Sequence, residues 1–216
     1  MIEGIFGGTF NPLHRGHLDV IAHVKETFSL TRVHLIPSAI PPHKSFTDLA
    51  PARDRFEMVK RSIAGIQGLI ASDVELNRKG PSFTVDTIDH FRKNLPPGTD
   101  LRLIVGSDAF LEMDTWKQGR EIFQLISIIV MIRPDQKKRS KSIASFLKDV
   151  ISEDYRPGNG QERFTHPVLK PVYACKVPEI DISSTLIRQY VKKHLPLERL
   201  VPDPVEEIIK IKGLYL

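Results

Sequence analysis

The chain has 216 residues, enough for one α/β domain with a sizeable core, and its 41% hydrophobic and 26% charged residues are an ordinary globular balance. A single cysteine, Cys175, excludes an internal disulfide, and no apolar run approaches the ~20 residues of a membrane span. Net charge is +5, from 31 basic and 26 acidic residues, a bias that suits polyanionic small molecules as well as nucleic acid. Part of it sits in one cluster, Lys137, Lys138, Arg139 and Lys141, which reads as a solvated loop. Met1–Ile5 runs straight into a strand pattern with no charged leader, so a cytoplasmic protein with neither nucleic-acid nor membrane partners is expected.

Short runs rich in branched residues alternate with amphipathic stretches along the chain. Ile2–Gly7 reads as a strand, followed by a helix with Leu18, Ile21, Ala22 and Phe28 on one face. Arg32–Pro37 is a second strand, and Phe56, Val59 and Ile63 mark a helix ending at Gly65. Leu69–Leu76 is a third strand. Val85, Ile88 and Phe91 mark the next helix, closed by Pro96-Pro97-Gly98. Strands Leu101–Gly106, Ile126–Ile132 and Pro171–Lys176 follow. Between the last two, Asp135–His166 is polar and basic, with Pro157-Gly158-Asn159-Gly160 and one helix near Ile143–Val150; an excursion from the sheet is predicted there. The tail is a helix with Asp203 as cap, Pro204 at its first position, an apolar stripe of Val205, Ile208 and Ile209, and Gly213 as stop. This alternation implies a doubly wound parallel sheet with helices on both faces, in a single domain over residues 1–216 whose helical part spans about 183–216. In such sheets ligands bind beyond the carboxyl ends of the strands, at the switch point.

Two segments carry the chemistry. The first strand ends in Gly7-Gly8-Thr9-Phe10-Asn11-Pro12, and His14-Arg15-Gly16-His17 opens the first helix. Glycines let backbone approach a ligand, a helix start offers unpaired N–H groups, and histidines three residues apart can both face a bound anion. Near the other end, Ser183, Ser184 and Thr185 precede a helix with Leu186, Ile187, Tyr190 and Val191 on one face. One hydroxyl suffices for a helix cap; three, with Arg188 one turn on, also fit a second phosphate cradle. Taken alone the segment supports either reading.

Together the two segments closely resemble the GGTFNPxHxGH and ISSTxxR signatures of the nucleotidyltransferase superfamily. The blocks Pro41-Pro42-His43-Lys44, Gly106-Ser107-Asp108-Ala109, Thr115-Trp116, Arg133-Pro134, Leu200-Val201-Pro202 and Gly213-Leu214-Tyr215 narrow the likeness. Over essentially its whole length the chain resembles the bacterial nicotinate-nucleotide adenylyltransferases.

The resemblance implies a Rossmann-like sheet, ATP with Mg²⁺ on its triphosphate, and transfer of AMP to nicotinate mononucleotide to give deamido-NAD and pyrophosphate. The acceptor is already an anionic phosphate, so positioning and charge stabilisation are needed more than a general base. It also implies roles. His14 and His17 would contact the phosphates of ATP, with Gly7, Gly8, Thr9, Phe10, Asn11, Gly16 and Arg133 in the same binding set. Ser183, Ser184, Thr185 and Arg188 would hold the β and γ groups, and Lys44 would bridge toward the acceptor phosphate. Trp116 would stack on the pyridine ring, amides near Thr84, Val85 and Lys117 would receive the nicotinate carboxylate, and Asp108 would accept from a ribose hydroxyl. By residue type alone, Trp116 also reads as a half-buried anchor and Asp108 as a helix cap. No protein ligand to a metal is assigned, and a homo-oligomer stays open.

Two positions depart from the family pattern. Asn11 stands where many relatives carry Asp, and Asp135 follows Arg133-Pro134 where glycine is usual. His23, His34, His90, His166 and His194 lack metal-ligand spacing and read as structural or solvated. The competing readings are an adenylyltransferase with a nicotinamide mononucleotide or phosphopantetheine acceptor, and a non-catalytic nucleotide- or RNA-binding module.

Overall fold

A computed structural model describes residues 1–40, 48–133, 139–158 and 162–216, without the side chains of 139–142. In chain order the elements are β1 (Ile2–Gly8), α1 (Arg15–Thr27), β2 (Arg32–Pro37), α2 (Ala52–Ser62), β3 (Leu69–Ala71) and α3 (Thr84–Asn94). Then come β4 (Asp100–Gly106), α4 (Ser107–Phe110), a 3-10 turn at Met113–Thr115, α5 (Gly119–Leu125), β5 (Ser127–Ile132) and α6 (Arg139–Phe146) with a π-helical turn at Leu147–Ile151. The chain continues with β6 (Arg156–Pro157), β7 (Arg163–Thr165), β8 (Val172–Lys176), α7 (Ser184–Lys192) and α8 (Asp203–Lys212).

The strands form one sheet in the order β3-β2-β1-β4-β5-β8-β7-β6. The six from β3 to β8 run parallel, in the order of doubly wound dinucleotide-binding sheets. The winding reverses between β1 and β4, so their carboxyl ends, Gly8 and Gly106, border the crevice where ligands bind in such sheets. Alternate strand residues face opposite ways. Phe6, Leu35, Ile104 and Ile129 meet α1, α2, α7 and α8, whereas Ile5, Ile36, Val105 and Val130 meet α3, α5 and α6. All six residues of β5 are buried, as its unbroken apolar run implies.

Several expectations are corrected. β3 stops at Ala71 rather than Leu76 because the chain turns at Asp73, whose carbonyl accepts the N–H groups of Leu76 (2.9 Å) and Asn77 (3.1 Å). In α1 the buried stripe is Ile21 and Val24; Ala22 is exposed and Phe28 half-buried. In α2 it is Arg55, Met58 and Val59, with Phe56 half-buried. Asp203 begins α8 and Pro202 occupies the cap, one residue earlier than expected, while Gly213 stops the helix in the left-handed region (φ +58°). The polar stretch 135–166 returns to the sheet in two short strands: β6 and β7 pair antiparallel and β7 pairs antiparallel with β8. Ile143, Phe146 and Leu147 are buried against the α3/α5 face. Of the basic cluster, Lys137 and Lys138 lie outside the described residues, and Arg139 and Lys141 fall in α6 rather than in a loop. Among the described residues no helix is long and apolar enough to cross a membrane.

Candidate active site

The loop leaving β1 is built for close approach. A Cβ on Gly7 would meet nothing within 4 Å, whereas one on Gly8 would lie 3.0 Å from the Phe10 ring. Phe10 takes a left-handed backbone (φ +46°), which turns its ring back against Phe6 and His17, at 5.7 Å and 5.2 Å between centroids. His14 caps α1 with an extended backbone, and its N–H donates to Nδ1 of His17 (3.3 Å). That bond puts the hydrogen of a neutral His17 on Nε2. The two imidazoles stack at 3.6 Å. His14 is only 6% exposed, and its Nδ1 has no hydrogen-bond partner among the described residues. Burial, helped by the positive charge of Arg133, brings its pKa down to about 4, so the ring is neutral at physiological pH. Gly16 lets Ile180 pack closely, since a Cβ there would sit 2.7 Å from a methyl of Ile180 and force it to shift.

The second motif docks on the first. Ser183 caps α7, accepting the N–H of Leu186 (3.1 Å), which is the local role its sequence position allows. Ser184 instead donates to the carbonyl of Pro12 (3.0 Å). Thr185 accepts from Nη2 of Arg188 (3.2 Å), and Nη1 of Arg188 donates to the carbonyl of Asn11 (2.9 Å). The three hydroxyls thus divide into a cap, a tether and a support for the arginine.

Two clefts open at the switch point, on opposite faces of the sheet. The first, of about 200 Å³, lies on the α1 side, where His14, His17, Asp108 and Arg133 supply polar groups and Met131 and Ile180 apolar wall. The second, of about 260 Å³, lies on the α3 side and is bordered by Gly7, Thr9, Ser38, Glu75, Thr84 and Trp116. Phe6 and Gly106 line both. A Cβ on Gly106 would meet nothing within 4 Å, so no side chain crowds the boundary between the clefts at that position.

The expected site residues distribute unevenly over this geometry. His14, Gly16, His17 and Arg133 gather at the first cleft, and Asp108 is with them rather than at the second. Gly7, Gly8, Thr9, Thr84 and Trp116 border the second cleft. Val85 is buried beneath α3, so only its amide at the helix start can serve a ligand. Lys117 lines neither cleft; its Nζ pairs with Asp86 (3.1 Å) and rests over the Phe83 ring. Phe10 is core, and Ser183, Ser184, Thr185 and Arg188 stand at the start of α7 against the Asn11–Pro12 loop. Lys44, with Pro41, Pro42 and His43, lies outside the described residues.

The side chain of Asn11 faces inward. Nδ2 donates to the carbonyl of Asp48 (2.7 Å) and Oδ1 accepts the N–H of Ala50 (3.0 Å), a donor–acceptor pair that aspartate could not supply. Sequence reading missed Arg55, which is fully buried and donates to the carbonyls of Ala50 (2.9 Å), Thr9 (2.6 Å) and Ala39 (3.2 Å). It bolts the first loop to the chain on either side of residues 41–47. A signal existed: positions 55, 58 and 59 share one helix face, and that face is apolar. Also missed was Glu75, whose carboxylate accepts from Thr87 (2.8 Å) and whose pKa is raised by burial.

The cytidylyltransferase-like family matches the chain over residues 5–190. A "Probable nicotinate-nucleotide adenylyltransferase" of Desulfatibacillum aliphaticivorans is 41% identical, covering 99% of each chain. One of the same description from Marinobacter nauticus is 36% identical over 98% of this chain and 95% of its own. Among solved structures, the Plasmodium falciparum nicotinic acid mononucleotide adenylyltransferase complexed with NaAD superposes with a TM-score of 0.74 at 18% identity. That match covers 99% of this chain and 97% of the other, and shows the shared fold. With a family match over residues 5–190 and relatives matched over 98–99% of this chain, the chain belongs to the cytidylyltransferase-like family and, within it, to the nicotinate-nucleotide adenylyltransferases.

Proposed function

We propose that this protein transfers the adenylyl group of ATP to nicotinate mononucleotide, releasing pyrophosphate and deamido-NAD. The observation that carries the reading is the pair of clefts on opposite sheet faces, which meet at Phe6 and Gly106. ATP, entering as its Mg²⁺ complex, occupies the α1 side, and the acceptor occupies the α3 side. An oxygen of the acceptor phosphate bonds to the α-phosphorus as the bond to the β-phosphate oxygen breaks, and pyrophosphate leaves with that electron pair.

The residues act by position and charge. The buried His14 imidazole, neutral at physiological pH, and the His17 ring stacked on it offer ring hydrogen bonds without the solvation cost of a buried cation at His14. Arg133 and Arg188 supply the fixed positive charge that offsets repulsion between two anions. A bridging role toward the acceptor phosphate is proposed for Lys44, which lies outside the described residues. On the other face, the first amides of α3, at Thr84 and Val85, are donors without acceptors and favour a carboxylate over a carboxamide, while Trp116 stacks on the ring. The proposed location is the cytoplasm, where ATP is made and used.

The test is pyrophosphate release from ATP and Mg²⁺ with nicotinate and nicotinamide mononucleotides in parallel. Strong preference for the nicotinate form is expected. Preference for the amide would overturn the carboxylate assignment at α3, and silence with both would overturn the reaction.

A further inference from the structure

Tyr215, beyond α8, reaches across the molecule to the first motif. Its backbone is left-handed (φ +66°), its ring is buried in the core beneath α2, α7 and α8, and its hydroxyl donates to Oδ1 of Asn11 (2.8 Å). The same oxygen accepts the N–H of Ala50, and Nδ2 of Asn11 donates to the carbonyl of Asp48. The carboxamide is therefore held from three directions, and its orientation is fixed by the chemistry of its partners. What this clamp holds is the peptide whose own carbonyl receives Nη1 of Arg188. The other end of the guanidinium rests on Thr185, and its Nε is buried without a partner among the described residues. Arg188 thus has few supports, and one of them hangs on Asn11.

We infer that Tyr215 is a positioning residue for adenylyl transfer, setting through Asn11 the carbonyl on which the Arg188 guanidinium rests. The inference depends on the proposed role of Arg188 in holding the nucleotide phosphates. Tyr215 touches no substrate; it acts by limiting where Arg188 can be. Removing the hydroxyl leaves Asn11 Oδ1 with one donor instead of two and lets the Asn11 peptide rotate. A small displacement of a charge that must meet a developing pyrophosphate is costly to rate. The ring itself carries the packing, so loss of the hydroxyl alone leaves the core filled.

The experiment is a double-mutant cycle with Y215F and R188K, measuring kcat, KM for ATP and KM for the acceptor, with urea unfolding of each variant. Y215F is expected to lower kcat/KM for ATP roughly tenfold and to leave the KM of the acceptor unchanged. In the R188K background the same substitution is expected to have little further effect, because the group being positioned is gone. Equal losses in both backgrounds, or full activity of Y215F, would overturn the inference. Calorimetric affinity for MgATP gives the same cycle without turnover. An enzyme silent with nicotinate mononucleotide would sink the proposed reaction, yet the coupling of Tyr215 to Arg188 would still be read in nucleotide affinity.

Discussion

Replacing His14 by asparagine tests the electrostatics of the first cleft directly. Asparagine is a good helix cap, so α1 keeps its start, but it does not titrate. In the folded protein burial and then Arg133 hold His14 at about 4, against an ordinary 6.5 when unfolded. Between those values the unfolded chain carries a proton that the folded one does not, so stability falls as pH falls through the window and is fully present above it. The slope is about 1.4 kcal/mol per pH unit, which over the window costs the wild type about 3 kcal/mol at pH 4 relative to pH 7. Glu75, whose carboxyl is raised by burial, titrates with the opposite sign, but it is common to both proteins and cancels in their difference. The assay is urea unfolding of wild type and His14→Asn at half-unit steps from pH 7 to pH 4. The gap in unfolding free energy should shift by about 3 kcal/mol in favour of the variant as pH falls. Two proteins that track each other across the range would show that His14 protonates freely in the folded state, and would refute its neutral, desolvated ring.

Arg55→Met fills most of the same volume but strips donors from three backbone carbonyls, each costing about 1–3 kcal/mol when left unsatisfied. A loss of at least about 3 kcal/mol in urea unfolding is expected, and a loss below about 1 kcal/mol would mean that water replaces the guanidinium without penalty. Gly119→Ala would bring a Cβ to 1.8 Å from the carbonyl of Met113, a backbone atom with no rotamer to escape into. Destabilisation of about 3 kcal/mol and altered Trp116 fluorescence are expected, since the displaced turn leads into that indole; an unchanged melting temperature would refute the overlap.

The parts legible in the sequence were those in which one interaction dominates. The strands β4 and β5 are buried runs rich in branched residues, and β1, β2 and β8 are short, mostly apolar runs bounded by turns or helices. The two motifs that mark the family were legible because glycine, histidine and hydroxyl residues have few other reasons to occur together. Asn11 shows the limit: its backbone belongs to the motif, yet its side chain answers to Asp48 and Ala50, 37 and 39 residues away. Arg55 was hidden by its own chemistry, since an arginine on a helix is read as solvated unless the face it occupies is weighed first. Strands of two and three residues such as β6 and β7 are set by pairing across a hairpin rather than by local pattern, which their polar sequence does not carry.

The sheet narrows toward both ends. Its outermost strands are β3, with three residues, and β6, with two, one of them Pro157. A strand edge is a template for another chain in proportion to its length and its unpaired N–H groups, and proline contributes none. The central strands, whose sequences are the most prone to cross-chain stacking, are enclosed on either side by these short flanks. Short edges limit edge-to-edge pairing while the fold stays intact, and loss of either β3 or the β6–β7 hairpin would expose a longer neighbouring strand. That hairpin, set by pairing rather than local pattern, leaves the β8 side of the sheet ending in a short, proline-bearing strand.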